Sequence, residues 1–132
     1  MNRLKDWALH FVKHRDLFLK NLTDIEEYDD SFIANFKTKA ERYIVRENLK
    51  IEDNLSKDES IVIVTLNNAR NFQVLISEWK VLISFPKLKV IFVEKISNGK
   101  HWIIHPYMHD KISDKASLKQ GLKALYDNAK ND

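Results

Sequence analysis

Two short runs of apolar, largely β-branched residues constrain this chain more than any other feature: Ile61-Val-Ile-Val-Thr-Leu66 and Leu88-Lys-Val-Ile-Phe-Val93. Neither shows the regular polar–apolar alternation of a half-solvated strand. Continuous runs of this length suit strands covered on both faces. Between them, Asn67 or Asn68 is suited to cap a helix. Phe72, Leu75, Ile76, Trp79, Leu82 and Ile83 mark one face of that helix, and Pro86 follows its end. Strand, helix and strand of these lengths make a βαβ unit, so the two strands are expected to be parallel with a right-handed crossover.

The flanking segments extend this unit. Residues 3–20 place Leu4, Trp7, Ala8, Phe11, Phe18 and Leu19 at three- and four-residue spacing, which predicts one amphipathic helix. Arg15 falls in the apolar arc of that helix and needs a carboxylate, carbonyls or an escape route to water. Residues 22–47 change to a period of two, broken at Asp29-Asp30-Ser31 and Thr38-Lys39-Ala40, and predict a three-stranded antiparallel meander. Residues 48–60 read as a polar connection with one helical turn at 51–55. Ser97-Asn98-Gly99 reads as a turn and His101–His105 as a last strand. Ser113 or Asp114 is placed to cap a helix reaching Ala129, with Leu118, Leu122, Leu125 and Ala129 turned inward. The expected fold is α/β (α+β mixed): helix, meander, βαβ unit, further strand and C-terminal helix. Residues 1–132 are expected to form a single domain, a mixed sheet flanked by helices.

Composition narrows the chemistry by exclusion. The 132 residues include no Cys, which removes disulfides, thiolate metal sites and cysteine nucleophiles. Two Gly leave no glycine-rich phosphate loop, and no Ser sits in a Gly-x-Ser-x-Gly elbow. No long apolar run exists, so no membrane partner is expected, and a cytoplasmic location is. The net charge of +3 is unevenly spread: residues 80–132 hold ten Lys against five Asp and Glu, while residues 22–60 are net acidic. A basic C-terminal half can track phosphates.

The order helix, meander, Ile61–Leu66 strand ending in Thr65-Leu66-Asn67-Asn68, helix and Leu88–Val93 strand resembles the restriction-endonuclease-like nuclease superfamily. That resemblance implies an acidic residue on the second meander strand and an acid-x-Lys triplet on the third, holding Mg²⁺ and the attacked phosphate. Here the third strand reads Glu41-Arg-Tyr-Ile-Val-Arg-Glu47-Asn48, without that triplet. Glu78-Trp79-Lys80 is an acid-x-Lys, but it lies in the helical segment. Asp29, Asp30 and Glu47 are the carboxylates left to act as catalytic Mg²⁺ ligands, with Arg46 as the cation. Arg is a poor replacement for Lys because it holds its proton and forks differently.

Three further groups stand out. His105, Tyr107, His109 and Asp110 crowd the exit of the last strand and are the candidate ligand or metal site. His10 and His14 lie one helical turn apart. Lys111, Lys115, Lys119 and Lys123 recur every four residues and are the candidate nucleic-acid-binding residues. The reading is a non-catalytic, nucleic-acid-associated or assembly domain on a nuclease-like scaffold, needing no cofactor. The alternatives are a divergent Mg²⁺-dependent nuclease and a protein-interaction module, either as a homodimer or with another protein partner.

Overall fold

A computed structural model describes residues 3–51, 55–97 and 99–130, without the side chains of Lys95, Lys115 and Lys130. In chain order the elements are α1 (Arg3–Arg15), β1 (Leu22–Glu27), β2 (Ser31–Phe36), β3 (Ala40–Val45), β4 (Ile61–Leu66), α2 (Ala69–Ser77), α3 (Trp79–Leu82), β5 (Leu88–Lys95), β6 (Lys100–Ile104), α4 (Pro106–Ile112) and α5 (Lys115–Lys130). The strands form one sheet in the order β1-β2-β3-β4-β5-β6. The meander β1-β2-β3 is antiparallel, β3-β4-β5 are parallel, and β6 returns antiparallel to β5. The α/β class, the meander and the parallel βαβ pair are as the sequence predicts.

The two connections that cross between parallel strands lie on one face of the sheet. Leu49, Ile51 and Leu55 from the β3–β4 connection pack with Phe72, Leu75 and Leu82 from α2 and α3, and with Leu122, Tyr126 and Ala129 from α5. Successive crossovers of one hand, stepping in one direction across a sheet, must share a face. Among the described residues, α1 is the one helix that covers the other face. Leu4, Ala8 and Val12, spaced four apart, seat it on Phe32, Ala34, Tyr43, Val45, Val62, Val64, Ile91 and Val93. A 13-residue helix is about 20 Å long, and it leaves part of that face bare beyond Arg15.

Several expected boundaries move, each for a local reason. The first helix stops at Arg15, and Phe18 and Leu19, expected in its buried arc, are exposed. The Asp16 carboxylate causes the stop: its two oxygens accept from the Asn21 and Leu22 backbone N–H groups at 2.9 Å each, turning the chain into β1. The segment 67–83 is two helices, because the chain loosens at Glu78. Its cap is Asn68, whose side chain accepts from Asn71 N–H at 2.8 Å. Pro106 opens a helix, α4, where the sequence predicts a loop; proline is favoured at a first helical position. Asp114 caps α5 through Ser117 N–H at 2.8 Å. Tyr126, not Leu125, takes the inward place on α5, stacking on Phe72 with ring centroids 4.8 Å apart. The expected turn before β6 contains Gly99 at φ 72, while Asn98 lies outside the described residues. The helical turn expected at 51–55 centres on 52–54, which also lie outside the described residues.

Candidate ligand cleft beyond the first helix

The row of the sheet at the C-terminal end of α1 runs across five segments in register. Phe32 pairs with Tyr43, Tyr43 with Val62, and Val62 with Lys89. Ile104 pairs with Val90, so His105, one residue beyond β6, closes the row beside Lys89. The row faces the α1 side. Lys89 and Glu41 occupy positions that Ile91, Val93, Tyr43 and Val45 fill with buried side chains farther along the same strands. With strands about 4.8 Å apart, the distance from β3 to β6 is about 14 Å.

Above this row lie two adjoining cavities. One, of about 200 Å³, lies between Val12, Arg15 and Asp16, the Phe36–Lys39 turn, and Glu41, Tyr43 and Lys89. The other, of about 150 Å³, lies between Arg15, Glu41 and Lys89 and the side chains of Ile103, His105 and His109. Arg15, Glu41 and Lys89 belong to both, which makes one cleft. The sheet floor is apolar, from Val62, Ile91 and Phe36, Val12 faces it from α1, and the polar groups stand at its walls.

Glu41 is 8% exposed. One of its oxygens accepts from the Tyr43 hydroxyl at 3.2 Å, and the other lies 3.9 Å from Lys39 Nζ. Burial drives the Tyr43 hydroxyl well above the ordinary tyrosine range; the Glu41 charge adds to this and the Arg15 charge opposes it. Arg15 therefore resolves its place in the apolar arc by packing over the Phe11 ring, 5.2 Å from its centroid, with its charge directed to the cleft. His105 donates from Nε2 to the Pro86 carbonyl at 2.7 Å. His109 Nδ1 lies 2.9 Å from the His105 carbonyl and 3.3 Å from the His105 backbone N–H, which holds its ring against the start of α4. The cleft thus gathers the buried Glu41 carboxylate, the Asp16 carboxylate engaged by backbone N–H groups, the Tyr43 phenol, the cations Arg15, Lys39 and Lys89, and two imidazoles.

The other groups singled out in the sequence are separated. Of the four candidate ligand residues, His105 and His109 come together in the cleft. Asp110 points to the opposite face, where Trp79 Nε1 donates to it at 2.9 Å, and Tyr107 lies under Lys111 Nζ. His101 is held between Trp7 and Phe11, edge-on at 5.2 Å from each ring. His10 and His14 stack, exposed, on the outside of α1. Asp30 is paired with Arg46 Nη1 at 2.7 Å. Asp29 is exposed on the hairpin, and Glu47 is exposed beyond the end of β3, where strand alternation no longer sets its direction. Among the described residues, no three His, Asp or Glu side chains are grouped closely enough to hold a metal ion. Lys119 and Lys123 are exposed on α5, on the far side of the sheet from the cleft; the Lys115 side chain lies outside the described part. No described helix is long and apolar enough to cross a membrane.

The place where α/β proteins most often hold ligands, the C-terminal ends of parallel strands, is filled here by the protein itself. Asn67, just past β4, accepts from Trp102 Nε1 at 2.9 Å and donates to Glu94 at 2.9 Å. Asn71 donates to the carbonyls of Glu47 and Leu66, at 2.8 Å each, and accepts from Leu49 N–H at 2.8 Å. The opening lies at the other end of the strands. Sequence reasoning misses Glu41 and Lys89, which build it together with Arg15. The signal that could find them is charge at inward-facing positions of otherwise apolar elements. It is plain for Arg15 in its helical arc and hidden for the other two, which stand near the starts of strands. Comparison of the chain with protein-family models, curated proteins and solved structures gives no match.

Proposed function

We propose that the protein is a non-catalytic, nucleic-acid-associated domain of the cytoplasm that holds a phosphate-bearing strand in this cleft. The observation that carries the reading is the convergence of Arg15, Lys39, Lys89, His105 and His109 on one groove, where Glu41 is the only buried carboxylate among the described residues. Cations along a cleft spanning about 14 Å from β3 to β6 suit a row of phosphates better than a single small anion. An apolar floor with polar walls also admits sugar and base edges. The Lys119 and Lys123 surface on the opposite side is a second place where a phosphate backbone would be attracted.

The composition of β3 supports the absence of catalysis. On the cleft side Glu41 is followed by Tyr43, not by Lys, and the facing β2 residues are Ala34 and Phe32. The resemblance to restriction-endonuclease-like nucleases is then one of element order, with a binding groove in place of a hydrolytic centre. Dye-labelled oligonucleotides followed by fluorescence anisotropy test this. Binding is expected to weaken steeply with salt, each neutralised phosphate adding about 0.7–0.9 to the logarithmic slope. Arg15→Gln with Lys89→Gln should lower that slope by about two and weaken binding, while Lys119→Glu with Lys123→Glu should have the smaller effect. Affinity and slope unchanged in the cleft variant would refute the assignment. Mg²⁺-dependent cleavage of the oligonucleotides, lost in Asp30→Ala or Glu47→Ala, would replace it with the nuclease reading.

A further inference from the structure

Leu17, Phe18 and Leu19 are 58%, 96% and 71% exposed, three successive apolar side chains in water. Single exposed apolar residues are ordinary, but a contiguous group marks a contact surface. This one is held in a fixed shape. Leu17 N–H donates to the His14 carbonyl at 3.3 Å and Lys20 N–H to the Asp16 carbonyl at 2.8 Å. The Asp16 carboxylate grips the far end of the turn, and Lys20 adopts a left-handed φ of 52. Lys37 N–H donates to the Asn21 carbonyl at 2.9 Å, tying the turn to the β2–β3 hairpin. The turn also borders the cleft: Asp16, Leu19 and Asn21, on either side of Phe18, line its wall with Arg15 and Lys39.

We propose that Phe18 is a stacking platform for an unpaired base of a single-stranded nucleic acid whose phosphates lie in the cleft. The inference rests on the cleft reading and adds the class of strand. A cationic groove beside a presented aromatic ring is the general arrangement for binding single strands, because every base has a π-face and stacking is indifferent to sequence. Bases in a duplex are already stacked on one another and offer no face to a ring at the groove's edge. The charges select this occupant over an apolar one. Arg15 and Lys39 line the cleft whose wall Leu19, the next residue after Phe18, also forms, and Lys20 and Lys37, in the turn and in the hairpin it is tied to, are exposed. A bilayer or an apolar protein pocket would engage the tip of the turn and leave the groove unused.

The test compares oligo-U, oligo-dT and a blunt-ended duplex of equal length on the full chain, by anisotropy at low salt. Phe18→Ala is expected to weaken both single strands by about fivefold or more and to leave the duplex affinity unchanged. Phe18→Trp is expected to restore single-strand binding, with added indole fluorescence that the bound base quenches. Phe18 has no packing to lose, so circular dichroism of both variants should match that of the parent chain. Equal single-strand affinity in Phe18→Ala overturns the proposal, as does equal loss on strand and duplex. Loss of sedimentation with anionic vesicles, with nucleic-acid affinity intact, overturns it in favour of a membrane contact. If Arg15→Gln with Lys89→Gln abolishes binding while Phe18→Ala does not, the cleft assignment stands and this one falls. If neither variant weakens binding, both fall.

Discussion

Tyr43 is 1% exposed, stacked face to face on Phe32 at 4.8 Å, with its hydroxyl on the buried Glu41. Because folding raises its proton affinity, the folded state holds the proton more tightly than the unfolded state. The stability that follows is fully present below about pH 10, the unfolded value, and is lost as pH rises above it. Ultraviolet titration should therefore show one of the four tyrosines ionising only as the fold is lost. In Tyr43→Phe, denaturant melts should show a weaker decline of stability above about pH 10. An unaltered alkaline decline in that variant would place its origin elsewhere. Legibility at this scale is uneven. Arg15 announces itself as a charge in an apolar arc, and the structure shows what satisfies it. Glu41 and Lys89 sit in strands whose patterning points first to core residues. A charge at a strand's first inward position looks like a solvated end until a neighbouring helix is known to stop short of it.

At the scale of elements, one side chain makes most of the bonds to the β3–β4 connection, with Thr65 and Arg70 adding one each to the Glu47 and Leu49 carbonyls. Asn71, fully buried on α2, bonds to the backbone of Glu47, Leu49 and Leu66 and to the Thr65 hydroxyl. Asn71→Leu removes partners from several buried backbone groups at once, and each unsatisfied group costs about 1–3 kcal/mol. A loss of about 3 kcal/mol or more in urea melts is expected; a loss below about 1 kcal/mol would show that the connection is held by Leu49 packing instead. The periodic elements are legible: continuous runs mark β4 and β5, alternation marks the meander, and Asn68 and Asp114 mark helix starts. Elements whose limits are set by tertiary competition are not. Residues 16–21 have helical periodicity, but β1 must begin at Leu22 to pair with Phe36, and the turn consumes the residues between. α4 is a short helix begun by proline, and Pro106 serves equally well in sequence as the end of a strand or as a first helical residue.

Across the whole molecule, cover is unequal. β3, β4 and β5 are protected on both faces, whereas β1 lies at the sheet edge with the burial pattern of a mostly solvated strand. Native-state hydrogen exchange is expected to be slowest in β4 and β5 and fastest among the strands in β1, where few buried apolar contacts resist opening. Uniform protection across all six strands would contradict this ranking. The cleft has a different relation to the chain. Its walls come from residues 12–21, 36–43, 62, 89–91 and 103–109, brought together by the crossovers and the return of β6. No peptide excised from the chain would inherit it. The cleft is a property of closure: it comes into being only when the first helix, the hairpin and the last strand have all docked. If the cleft binds nucleic acid as proposed, a labelled oligonucleotide present during refolding would time the completion of the molecule rather than the appearance of any one part.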